Sequence, residues 1–70
     1  MVSLPKRLKQ LRVERQWTQR MLAKKAGLSL AYITKSEAGW YDPQLSTLRK
    51  LAKALGVTIS GLVEHTKEKP

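Results

Sequence analysis

Cysteine and phenylalanine are both absent from these 70 residues, and histidine occurs once. No disulfide framework can form and a lone imidazole cannot assemble a zinc site, so any core must come from side-chain packing alone. Acidic residues are also scarce, five against 14 basic ones, which leaves a formal charge of +9. The five, Glu14, Glu37, Asp42, Glu64 and Glu68, are scattered along the chain. With no cysteine nucleophile, phosphate-cradling glycine loop or metal-ligand spacing beside them, they argue against an enzyme and imply neither cofactor nor metal. No uncharged run approaches bilayer length, and the opening MVSLPKRLKQ lacks the apolar stretch of a signal peptide. A soluble, cytoplasmic protein is therefore expected. Period-two alternation is missing as well, so strands are not expected. What remains is a single helical domain near the lower size limit for a core without staples.

The helical signals that are present cluster most tightly over Thr18 to Gly39, TQRMLAKKAGLSLAYITKSEAG. Leu22, Ala23 and Ala26 share one face of a short helix, and Gly27 just beyond can take the left-handed conformation that ends it. Ser29 suits the N-cap of a second short helix, with Leu28 and Ile33 at the two positions of a hydrophobic staple. Small Ala23 lets the two helices cross closely. Two helices at a steep angle across a tight glycine turn form a helix-turn-helix, whose second helix fits a DNA major groove.

The flanks extend this pattern. Ser3 and Pro5 mark the start of a first helix that carries Leu4, Leu8 and Leu11 to about Gln16. Trp17 and Thr18 open the second helix, with Leu22 as staple partner, and it runs to about Ala26. The third runs from about Leu30 to Ala38, where Gly39 ends it. Asp42 or Gln44 caps a fourth helix, whose face is Leu45, Leu48, Leu51, Ala52 and Leu55 and whose end is Gly56. Val57 and Thr58 open a short fifth, stapled through Leu62 and weakened by Gly61 by roughly 1 kcal/mol relative to alanine. The expected fold is all-α, five helices around one core over residues 4–65, with the helix-turn-helix at about 19–38 and a frayed tail over 66–70 that begins after His65.

Charge is uneven along this framework. Between Lys6 and Lys25 stand eight basic residues and one acid, Glu14. Beside a helix-turn-helix, phosphate binding accounts for that excess better than a merely solvated surface does. Charge alone does not separate DNA from RNA or an anionic membrane.

Four segments, LKQLRVERQWTQ, LAKKAGLS, YITKSEAG and DPQLSTLRKLAKALGVTISGLV, resemble in order and spacing the Cro/phage-repressor type helix-turn-helix family, often labelled XRE. The resemblance covers Leu4 to Val63. It implies the lambda-repressor-like five-helix fold, sequence-specific binding to double-stranded DNA as a transcriptional regulator, and commonly a homodimer. Gln19 matches the glutamine that opens the second helix and usually touches the DNA backbone. Leu30, Ala31 and Lys35 match positions that usually face base edges. Arg12 and Glu37 match a charged pair that ties the first helix to the third in some members. Ser36 stands where members usually carry an apolar residue, so looser packing between the second and third helices is expected. Leu30 and Ala31 replace polar side chains that many members use for hydrogen bonds.

Each candidate carries a plainer alternative. Lys35 can donate to guanine O6 or N7, or remain a solvated or phosphate-touching lysine; Leu30 and Ala31 can meet thymine methyl groups, or simply pack at a helix start. Gln19 and Ser29 lie at helix starts that favour phosphate, against solvent for Gln19 and capping alone for Ser29. Tyr32 is either a phosphate donor or a partly buried aromatic, and Trp40 with Tyr41 either meets the sugar-phosphate rim or covers the core. Arg20 and Thr34 complete the DNA-binding set. Leu55, Ile59 and Val63 are candidates for a dimer seam, with burial inside the monomer as the alternative. An antitoxin or bridging-type protein-interaction module on the same fold is the competing function, so a protein partner is carried beside DNA. A membrane role for the first helix requires its leucine stripe to be free of the core.

Overall fold

Five amphipathic helices make up the computed structural model, which describes residues 4–41 and 43–63, with Val63 described by its backbone only. Helix α1 spans Leu4–Glu14, α2 Gln19–Ala26, α3 Leu30–Glu37, α4 Leu45–Leu55 and α5 Ile59–Val63; no strand occurs among the described residues. Helix α2 packs on α3 and α4, while α1 packs on α3 and α5, and α4 closes against α5. The core at their meeting is aliphatic: Leu8 and Leu11, Leu22, Ala23 and Ala26, Ile33, Leu51, Ala52 and Leu55, and Leu62. Leu8 and Leu11 are therefore unavailable to a membrane surface, and no helix among the described residues is long and apolar enough to cross one.

Helix starts follow from hydroxyl caps. The backbone N–H of Met21 donates to Thr18 Oγ1 at 3.0 Å, that of Tyr32 to Ser29 Oγ at 3.0 Å, and that of Gly61 to Thr58 Oγ1 at 2.8 Å. Each satisfies one of the orphan donors of a first turn. The staple residues Trp17, Leu28 and Val57 all pack against the core that holds Leu22, Ile33 and Leu62. Gln44 occupies the N-cap of α4 without a side-chain cap bond; Asp42, the other candidate, lies outside the described residues, as do Ser3 and His65.

Helix ends follow one rule four times. In α2 the N–H of Leu28 reaches the Ala23 carbonyl and that of Gly27 the Lys24 carbonyl, the paired bonds of a Schellman turn. The same pairs close α3 at Gly39 and α4 at Gly56. They also close α1, but there the left-handed position is held by Gln16, at φ 60°. Helix α1 accordingly stops at Glu14 instead of running to Gln16, and Ala38 caps α3 instead of belonging to it.

Ser36 and Gly61 both sit in close surroundings. Ser36, expected to loosen the α2–α3 contact, is itself shut from solvent at 1% exposure, and its Oγ has no hydrogen-bond partner. Gly61, read as a weakness in α5, leaves room for the Thr58 cap, since a Cβ there would stand 3.1 Å from Thr58 Oγ1. Arg7 links α1 to this helix by donating from Nη2 to the Gly61 carbonyl at 3.5 Å.

Candidate nucleic-acid interface

The three-residue link Gly27, Leu28, Ser29 sets α3 across α2. Gly27 adopts φ 70°, a conformation that a Cβ makes costly, and Ser29 at once caps the next helix. Ile33 and Ser36 then face inward, buried. With about 100° per residue, the opposite side carries Ala31 and Lys35, with Thr34 on its flank and Leu30 nearer the buried side. All four are exposed, Ala31 and Lys35 one turn apart on a shared edge.

A polar chain pins the inner edge of α3 to the rest of the molecule. Arg12 of α1 makes two parallel bonds to Glu37, Nε to Oε2 at 2.7 Å and Nη2 to Oε1 at 3.0 Å, and its Nη1 donates to the Trp17 carbonyl at 2.7 Å. The pair is largely excluded from water, the Glu37 side chain keeping 4% of its exposure, so its bidentate geometry is what offsets desolvation. Glu37 Oε1 also accepts from Gln19 Nε2 at 3.1 Å, and Gln19 Oε1 accepts from the Thr34 hydroxyl at 2.9 Å. A carboxylate only accepts, so it fixes which end of the Gln19 amide faces it. Gln19 is thus held from inside the protein, with one amide hydrogen left over for an outside acceptor.

Beyond α3 the Gly39 turn folds the chain back. Tyr41 returns to Tyr32, ring centroids 5.3 Å apart and tilted by 39°, and the Lys35 ammonium lies 5.8 Å from the Tyr41 ring centroid. Trp40 stands out at 76% exposure, and with Tyr32, Tyr41, Gln44 and Thr47 it lines a hollow beside α3. On α2, Arg20 and Lys24 are exposed. Among the site residues named from sequence, Arg12, Gln19, Thr34 and Glu37 share one network, Tyr32 and Lys35 share a cluster with Tyr41, and Ser29, Leu30 and Ala31 lie together where α3 begins. Trp40 stands out at the rim of the hollow that Tyr32 and Tyr41 also line.

The dimer-seam set separates. Leu55 is 2% exposed in the monomer core and cannot be offered to a second chain without opening that core, so its place in the seam is withdrawn. Ile59 is half-buried against the same core, and the Val63 side chain lies outside the described residues. Tyr41, weighed from sequence only as a partner of Trp40 at the rim, instead meets Tyr32 and Lys35; the available signal was Gly39, whose turn brings residue 41 back over residues 32 and 35.

A family model described as helix-turn-helix matches residues 8–62. The immunity repressor protein of Bacillus phage phi105 is 44% identical over 62 residues, covering 89% of this chain and 43% of that protein. The HTH-type transcriptional regulator DdrOP3 of Deinococcus deserti is 36% identical over 63 residues, 90% of this chain and 49% of that one. The chain thus spans less than half the length of both relatives. Among solved structures, the master regulator for biofilm formation SinR, crystallised in complex with DNA, superposes with a TM-score of 0.81 at 30% identity, covering 86% of this chain and 97% of that one.

Proposed function

Because this chain belongs to the Cro/phage-repressor type helix-turn-helix family, we propose that it is a transcriptional regulator that binds double-stranded DNA with α3 in the major groove. The observation that carries this reading is the exposed outer side of α3, Ala31 and Lys35 with Leu30 and Thr34 exposed on its flank, and Arg20 and Lys24 exposed on the neighbouring helix. A DNA-bound structural relative supports it.

The roles divide by chemistry. Lys35 donates to guanine O6 or N7, and Leu30 with Ala31 packs on thymine methyl groups. Arg20 and Lys24 meet phosphates, joined by the spare hydrogen of Gln19 and by the amino-terminal ends of α2 and α3, where unpaired N–H groups favour an anion. The Ser29 hydroxyl, already accepting from Tyr32 N–H, keeps its own proton for a phosphate oxygen. Tyr41 holds Lys35 against its ring and so limits the directions the ammonium samples before DNA arrives. Two copies on an inverted repeat place their α3 helices one DNA turn apart, about 34 Å, with Ile59 and Val63 of α5 as the remaining seam residues.

Selection of bound duplexes from a randomised pool tests the reading, and a shared sequence is expected. Lys35→Ala narrows the gap between the best and other sites by about 1–3 kcal/mol, whereas Arg20→Ala weakens all sequences alike. Recovery of no common sequence, with Lys35→Ala behaving like Arg20→Ala, would overturn specific recognition.

A further inference from the structure

Away from α3 the molecule has a second basic feature. Trp17, Lys25 and Ala26 face Lys50, Lys53 and Ala54 across the α2–α4 contact and line a groove of about 490 Å³. No α3 residue takes part. On α2, Lys25 lies about 120° round the axis from Gln19, which bonds to α3, about 140° from Arg20 and about 100° from Lys24. The groove therefore belongs to a different flank from the proposed DNA edge.

Its chemistry is mixed in a definite way. The floor is alanine, Ala26 buried and Ala54 half-buried, which leaves depth for an incoming side chain. One wall is the half-buried Trp17 ring, with the Lys25 ammonium 4.8 Å from its centroid. The rim is three ammonium groups, and among the described residues no acidic one lines the groove. Lys25 and Lys53 occupy the last turns of α2 and α4, where positive charge suits the free carbonyls, so helix ends alone account for those two. They do not account for Lys50. It stands in mid-helix three residues before Lys53, a like-charge spacing that costs a few tenths of a kcal/mol. Three cations brought from two helices to one apolar trough form a surface complementary to carboxylates that flank an apolar group.

We propose that this groove docks an acidic peptide segment of a partner protein, one with an apolar side chain between its carboxylates. The apolar group descends on to Ala26, Ala54 and the Trp17 ring, while the carboxylates pair with Lys50, Lys53 and Lys25. The lysine stems add apolar cover along the walls. An extended peptide fits the open trough better than a duplex does, because a uniform phosphate rail offers nothing to place on the alanine floor.

Titration of the ¹⁵N-labelled full chain with a synthetic peptide of glutamates flanking a central leucine tests this by NMR. The expected result is a saturable shift of the Trp17 indole together with the Ala26 and Ala54 amides. Affinity falls about tenfold in Lys50→Ala/Lys53→Ala, the equivalent of two exposed charge pairs. Lys6→Ala/Lys9→Ala, which removes the same charge from exposed positions on α1, lowers it by about twofold through the long-range field alone. Equal losses in the two variants would overturn the proposal, since they would reduce the effect to net charge. So would matching shifts from inorganic phosphate, which would assign the groove to a small anion, or larger shifts there from a random-sequence duplex.

Discussion

Single residues decide how firmly α3 is held and where the molecule gives up stability. The Arg12–Glu37 pair joins positions 25 apart in sequence, a contact that no helical period announces; its legibility came from the family resemblance alone. The Gln19–Thr34 bond was not legible at all, because it depends on the angle at which α2 crosses α3. Leu55 shows the opposite limit. Its spacing marks an apolar face, but periodicity does not say whether the same chain or another one covers it. Ser36 carries a measurable consequence. A buried hydroxyl without a partner retains a desolvation cost, and alanine in this last turn of α3 removes both that cost and a poorer helix former. Ser36→Ala should raise stability by about 1 kcal/mol, or roughly 4–8 °C in the thermal midpoint of a domain this size. Thermal unfolding followed by circular dichroism checks it; a lowered midpoint would mean that the hydroxyl is bonded in solution.

At the scale of elements, what punctuates the helices was legible wherever glycine does the punctuating. Gly27, Gly39 and Gly56 all take positive φ and close α2, α3 and α4. The end of α1 was read two residues too long because glutamine stands in the same geometry, and nothing about glutamine advertises a left-handed backbone. That position stores strain of about 1 kcal/mol. Gln16→Gly should stabilise the domain by about 0.5–1 kcal/mol, less than the full strain because glycine also loosens the unfolded chain. Gly27→Ala should act in the opposite direction by a similar amount, since no atom lies within 4 Å of the added Cβ and only the torsion resists. Urea midpoints of the two variants should move to opposite sides of the parent. Movement in the same direction would contradict the assigned turn geometry.

For the whole molecule, the sidedness of charge matters more than its sum. The excess of basic over acidic residues is plain from composition. Its separation into an α3 edge and an α2–α4 groove is not, because Lys24 and Lys25 are neighbours in sequence yet point about 100° apart. If Arg20 and Lys24 of two copies each neutralise a phosphate, the logarithm of the DNA association constant should fall with the logarithm of salt at a slope of about −3.6 or steeper, at roughly −0.9 per phosphate. Fluorescence anisotropy across a salt series reads that slope. A value near half of it would indicate one copy on the duplex instead of two.

The manner in which α3 is tethered has a further consequence. A serine hydroxyl fixes its start, a Schellman turn its finish, and directional bonds from Glu37 to Arg12 and Gln19 its inner edge, which resist rolling and sliding of the rod on its bed. On a bound duplex, any mismatch of curvature would then fall to the nucleic acid to absorb. Operator choice would accordingly extend to base pairs that no side chain reaches, through how readily each one bends.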